Sequence, residues 1–172
     1  RNGESPMPVI AASSPTDCFD AAYMACKIAL EHMTPVVLLT DAYIANGSAA
    51  WRLPDLAEYP DIRPPYVTPD MAGAWTPFQR NPQTGVRYWA TPGMEGFMHR
   101  IGGLEKSNET GAISTDPENH NLMTRLRAEK VAKIADSIPD LKVEGNQDAD
   151  LLIVGFGGTY GHLHSAMDEL NR

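Results

Sequence analysis

A chain of 172 residues is long enough for one compact domain or two small ones, and its 42% hydrophobic content is enough to build a core. A formal charge of −8 argues against nucleic acid or an anionic membrane surface as partner. No apolar run approaches the roughly 20 residues that cross a bilayer.

Arg1-Asn2-Gly3-Glu4-Ser5-Pro6 is a polar turn leading into a first strand, and the chain has no initiator methionine. It reads as a piece of something longer. The turn is either a solvated entry loop or a segment that sets Asn2 and Glu4 beside a ligand. Pro8 to Ala12 is the first strand. Ser14 then suits a helix cap, Pro15 the first helical position, and Asp17 the first turn, where negative charge is favoured. Phe19, Ala22, Tyr23, Cys26, Ala29, Leu30 and Met33 recur at three and four residues and predict one apolar face.

The two cysteines, Cys18 and Cys26, both fall in this helix, about 12 Å apart along its axis, too far for a disulfide. A reduced, cytoplasmic protein is the expectation. Pro35 ends the helix, and Val36 to Thr40 is an unalternated apolar run typical of a strand buried on both faces. Strand, helix and strand make a β-α-β unit and a parallel sheet. The second strand delivers Asp41 and Tyr43 to the sheet's carboxyl edge, where α/β proteins place ligands.

From Trp51 to Pro92 there are eight prolines, and no helical or alternating period survives. A disordered linker is poor in aromatics, whereas this stretch carries Trp51, Tyr59, Tyr66, Trp75, Phe78, Tyr88 and Trp89. It predicts an ordered, irregular strap with short β-like pieces near Gly85 to Trp89. Asp116-Pro117-Glu118 is a helix start, and Leu122, Met123, Leu126, Val131, Ile134, Ala135 and Ile138 form its stripe. Arg125, Arg127, Lys130 and Lys133 read as a solvated face. Asp150 to Val154 predicts a second buried strand, followed by a glycine turn at 155–161 and a helix with Leu163, Ala166, Met167 and Leu170.

That turn departs from a dinucleotide-binding loop, because its glycines fall at 155, 157, 158 and 161. Tight strand-to-helix packing explains them equally well. His32, His99, His120, His162 and His164 have no zinc spacing, so no metal ligands are expected in this chain. Glu4 and Asp41 are the carboxylates suited to acid–base or orienting work, and for Asp41 capping the turn after its strand is the commoner role.

Arg1 to Pro6, Ala11-Ala12-Ser13-Ser14-Pro15, Asp17 to Ala22, Met33-Thr34-Pro35-Val36 and Thr40 to Gly47 resemble the alpha subunit of 2-oxoacid:ferredoxin oxidoreductases, most closely the 2-oxoglutarate branch. Trp51 to Asp55, Thr91 to Gly96, His99 to Glu105, Asp116 to His120 and Leu126 to Val131 continue the likeness over nearly the whole chain. The resemblance implies an α/β architecture in three parts. Residues 1–47 would end a pyrimidine-binding domain, 48–115 would be an inter-domain strap, and 116–172 would start a transketolase C-terminal-like domain.

It also implies oxidative decarboxylation of a 2-oxoacid to an acyl-CoA on thiamine diphosphate with Mg2+. Electrons would pass through an iron–sulfur cluster to ferredoxin, with a beta subunit as partner and coenzyme A as co-substrate. The catalytic glutamate and the diphosphate site would lie elsewhere, so this segment would hold no cofactor alone. The Gly3-Glu4 turn is similar to the family loop bordering the active site, with Asn2 where a histidine is more usual. Asn2, Gly3, Glu4 and Asp41 are thus the expected pocket edge, and Glu4 is the one candidate for a catalytic role. A non-catalytic α/β assembly domain, docking through its aromatic strap, is an alternative reading. A mononucleotide-binding domain using the 155–161 turn is another.

Overall fold

The structure is a computed structural model and describes residues 3–171, so Asn2 lies outside the described residues. Contacts group the chain into two compact units. One gathers the chain up to Met7, Ile28–Pro35 and Ile62–Ile138. The other gathers Pro8–Lys27, Val36–Asp61 and the chain from Pro139 onward.

The second unit holds the sheet. β1 (Val9–Ala11) pairs in parallel with β2 (Val37–Leu39), with Val9 opposite Val37 and Ala11 opposite Leu39. The crossover is α1 (Asp17–Glu31). Its start is tied twice: the Asp17 N–H donates to Ser14 Oγ at 3.1 Å, and Asp17 Oδ2 accepts from the Ser13 N–H at 2.7 Å and its hydroxyl at 2.8 Å. Each bond satisfies a group that a helix start would otherwise leave open. Ala12, Ala21 and Ile44 form the small core here, with Ile10, Cys18 and Leu38 packed against it.

Two expectations change in this unit. Along α1, Ala21 is buried while Phe19, Ala22 and Cys26 are exposed; in the part of the helix that belongs to the first unit, Ile28 is buried and Leu30 exposed. Phe19 faces Trp51 and Tyr59, with ring centroids 5.7 and 5.6 Å away. The aromatic side of the helix therefore packs on chain neighbours of its own unit, and the small side meets the sheet. β2 is not covered on both faces either: Leu39 is 44% exposed, because the described sheet has two strands and one helix layer cannot close both sides.

Residues 151–154 form no strand. They run extended with Leu151, Leu152, Ile153 and Val154 all exposed. A strand exists only through its ladder bonds, and no described segment offers this one a partner edge. α4 (Tyr160–Leu170) follows the glycine turn as expected. Trp51 is 48% exposed, so only part of the strap's aromatic surface is covered.

The first unit is mostly irregular, as the proline-rich sequence predicts. A turn at 81–85 is closed by the Gly85 N–H donating to Asn81 O and the Asn81 N–H donating to Val86 O, both at 2.8 Å. Gly85 takes φ +72, a left-handed value that suits glycine. The turn sets Arg80 opposite Arg87 in an antiparallel bridge, and Tyr66 bridges Trp89. Trp75 packs edge-on to Phe97 at 5.6 Å and His99 at 5.1 Å. α3 (Pro117–Ala132) starts on Asp116, whose carboxylate accepts the Glu118 N–H, and a tighter turn continues it over Lys133–Ser137. Val67, Val86, Phe97, Met123 and Ile134 are buried.

Candidate functional site

Glu4 stands in a network of side chains on the first unit. Gly3 has φ +114 and turns the backbone just ahead of it. The Glu4 carboxylate accepts from the Ser5 hydroxyl and, at 2.5 Å, from Arg127 Nη2. Arg127 Nη1 reaches Glu105 Oε1 at 3.5 Å, and Glu105 Oε2 meets His120 Nδ1 at 2.8 Å. The Ser5 hydroxyl, then the Arg127 guanidinium, hold the Glu4 carboxyl below the usual carboxylate range. A carboxylate so held is ionised at neutral pH and a weak proton acceptor. Its chemistry here is charge and position.

One turn further along α3 the balance of charge reverses. A cleft of about 340 Å³ opens between Ser5-Pro6, Met33-Thr34-Pro35, the 78–87 loop and α3. Arg80, Arg87, Arg127 and Lys130 all line it. Arg127 and Lys130 project from α3 beside Met123, positions spaced at four and three residues and therefore on one face. Arg87 lies over the Phe78 ring with Cζ 4.5 Å from its centroid, and Arg80 lies 5.8 Å from the same centroid. The other partners are neutral: Arg80 donates to Phe78 O and Met123 Sδ, Arg87 to Pro77 O, and Lys130 Nζ to Met33 O at 2.6 Å.

Burial, and then the neighbouring Arg87 and Arg127, bring Arg80 down to about 10. Burial also lowers Arg87. Lys130 falls to about 8, through burial first and then Arg87, Arg80 and Arg127. Lys130 and Arg127 are thus not the solvated face that the helix pattern suggested. The Asn-to-Gly turn at 81–85 is the trace of Arg80 and Arg87 that the sequence carried, since closing it brings two arginines seven residues apart side by side.

Asp41 belongs to the second unit. Its Oδ1 accepts the Ile44 N–H at 2.9 Å and so caps α2 (Ala42–Asn46), and its Oδ2 accepts the Gly158 N–H at 3.2 Å. A Cβ on Gly158 would sit 2.2 Å from that oxygen, and one on Gly155 would sit 2.2 Å from Leu163 Cδ1. Gly157, at φ +60, passes with its would-be Cβ 3.4 Å from Ala11 Cβ. Close packing of the turn onto the sheet accounts for these glycines. The Tyr43 and His162 rings lie 5.1 Å apart in a tilted arrangement.

Among the described residues no three or more His, Cys, Asp or Glu side chains gather as metal ligands would. No described helix is long and apolar enough to cross a membrane.

A parallel β-α-β unit, with an acidic residue at the carboxyl end of β2 closing a glycine turn, defines an α/β protein. Residues 1–119 match the family described as "Pyruvate flavodoxin/ferredoxin oxidoreductase, thiamine diP-bdg", and the chain belongs to it. It is 45% identical over 173 aligned residues to the 2-oxoglutarate oxidoreductase subunit KorA of Mycobacterium tuberculosis, covering 100% of this chain and 26% of that one. It is 24% identical to the 2-oxoglutarate synthase subunit KorA of Methanothermobacter thermautotrophicus, over 91% of this chain and 40% of that protein.

Among solved structures, the 2-oxoglutarate:ferredoxin oxidoreductase from Magnetococcus marinus, with 2-oxoglutarate, coenzyme A and succinyl-CoA bound, superposes with a TM-score of 0.85. The identity is 27%, and the match covers 99% of this chain and 29% of that one. The chain thus spans about a quarter of the M. tuberculosis relative and less than half of the archaeal one. The described residues do not make a diphosphate–metal site by themselves: the Gly158 N–H is taken by Asp41, and no cluster of metal-ligating side chains accompanies it.

Proposed function

We propose that this chain is part of the alpha subunit of a thiamine diphosphate-dependent 2-oxoacid:ferredoxin oxidoreductase acting on 2-oxoglutarate. The observation that carries the reading is the 45% identity over the whole chain to a 2-oxoglutarate oxidoreductase subunit. The reaction is oxidative decarboxylation to an acyl-CoA, with thiamine diphosphate and Mg2+ as cofactor. Electrons leave through an iron–sulfur cluster to ferredoxin, a beta subunit completes the enzyme, and its place is the cytoplasm. Residues 1–47 close the pyrimidine-binding domain, 48–115 form the strap, and 116–172 open the transketolase C-terminal-like domain. When bound, thiamine diphosphate supplies the carbanion chemistry.

This chain's own residues shape and charge the pocket edge. Glu4, fixed by Ser5 and Arg127, presents a permanent negative charge in a defined direction. Gly3 gives the turn its sharpness, and Asn2 precedes it in the chain. Asp41 holds the end of β2 and the glycine turn together. The test is 2-oxoglutarate-dependent viologen reduction by the complete complex carrying this chain. Reduction that needs 2-oxoglutarate and coenzyme A supports the reading. A complex that turns over pyruvate but not 2-oxoglutarate moves it to another branch, and no turnover of any 2-oxoacid removes it.

A further inference from the structure

Cations withdrawn even partly from water cost free energy unless a counter-charge meets them. Arg127 has two, Glu4 and Glu105. Arg80, Arg87 and Lys130 have none among the described residues: their partners are two backbone carbonyl-bearing segments, a thioether and a ring face. Yet all three converge on one cleft of about 340 Å³. Ser5 and Thr34 add two hydroxyls to its wall, and Pro6, Met33, Pro35, Leu126 and Val131 make it otherwise largely apolar.

Such an arrangement suits an anion. A carboxylate would leave two of the three positive charges uncompensated, whereas a phosphate monoester or diphosphate carries charge nearer to theirs. Its oxygens also match the planar fork of an arginine. The volume has room for a phosphate group together with atoms attached to it.

We propose that Arg80, Arg87 and Lys130 form a binding site for the phosphate group of a small phosphorylated molecule. Phe78 holds the two guanidinium groups by stacking, and the Asn81–Gly85 turn sets their spacing. Arg127 closes one side while remaining neutralised by its own carboxylates. Phosphate reaches such a cleft as the free ion or as part of a larger ligand, of which coenzyme A is the one that the proposed function supplies. The phosphate site stands on its own geometry, and only the coenzyme A source rests on that function.

The experiment is calorimetric titration of the complete complex carrying this chain, in buffer free of phosphate and sulfate. Inorganic phosphate is the first probe and coenzyme A the second. The expected result is saturable phosphate binding that weakens about tenfold or more in Arg80→Gln and in Arg87→Gln. Arg87→Lys should recover part of it, and the exposed Lys142→Gln in the other unit should match wild type. Should the arginine variants fail to fold, Lys130→Met carries the test, because removing a part-buried charge with no counter-ion does not cost stability while it still weakens phosphate binding. Coenzyme A affinity that falls with the same variants identifies the source as the coenzyme. Coenzyme A affinity unchanged by them, with phosphate affinity lost, identifies a different phosphorylated ligand and leaves the enzyme reading intact. Absence of saturable phosphate binding, or binding that Arg80→Gln, Arg87→Gln and Lys130→Met all leave unchanged, overturns the site.

Discussion

Two successive turns of α3 carry the same kind of side chain and treat it in opposite ways. Arg127 meets Glu4 and Glu105, forming a network that runs on to His120. Lys130 meets the Met33 carbonyl and two further cations, and its pKa falls to about 8. Paired charge at one end makes a fixed element of structure. Unpaired charge at the other costs stability and suits an anionic ligand. Natural proteins accept such costs where function needs the group, so imbalance marks a site better than charge does.

The strongest way to break this contrast is to remove its common floor. Met123 is 3% exposed, lines the cleft and touches Arg80 through its sulfur. Met123→Ala should lower unfolding stability by about 2–5 kcal/mol, the range for truncating a buried methionine. Chemical denaturation checks this, and a loss under about 1 kcal/mol would show that the cleft collapses without it.

Lys130→Met should act in the other direction and raise stability by about 1–2 kcal/mol at pH 7 in phosphate-free buffer, allowing for partial solvent screening. The sign follows from linkage. Lys130 titrates near 8 when folded against a model value of 10.5, so between those values the unfolded chain binds more protons. Stability should therefore rise with pH from about 8 to 10.5, and the Lys130→Met protein should lack that rise. A wild-type curve that falls through this window would contradict the burial of the ammonium.

At the paired end the pH dependence has the opposite origin. The Glu4 carboxyl lies below 4.5 when folded, so its contribution is present above that value and disappears as pH falls through the lowered pKa. Arg127→Met should flatten this acid limb and lower the melting temperature by a few degrees. Thermal melts of both proteins from neutral to acid pH measure it, and parallel curves would show that the pair contributes nothing.

The smallest effect is expected on turnover. Because Glu4 is already committed as an ion to Ser5 and Arg127, Glu4→Gln in the complete complex should change kcat less than about threefold, against the 10²–10⁴-fold that a proton-transferring group contributes. Viologen reduction at saturating 2-oxoglutarate is the measurement. A fall of a hundredfold or more would make Glu4 a proton carrier.

Local rules found the starts of α1 and α3, whereas α4 begins without a side-chain cap. Ser14 and Asp116 cap where their side-chain chemistry says they should, and Asp41 caps after its strand. The parallel pairing of β1 and β2 likewise follows from two apolar runs separated by one helix. Non-local choices were less visible. Phe19 leaves the expected core face because Trp51 and Tyr59, 32 and 40 residues away, pack on it. Residues 151–154 have strand composition but no ladder partner in the described chain. Gly155, Gly157 and Gly158 depart from the dinucleotide-loop spacing, and Leu163, Ala11 and Asp41 lie close against them as in a packing turn.

The sequence by itself determined the β-α-β unit, the irregular strap, the capped third helix and the family. Each of these is written in periodicity, in proline and glycine placement, or in a run of matched residues. Only the tertiary structure decided which charges are neutralised. Arg80, Arg87, Arg127 and Lys130 look alike in composition, and what separates them is distance to a carboxylate. That distance depends on residues 4, 33 and 105 being folded onto α3, and such contacts leave no period or motif to read.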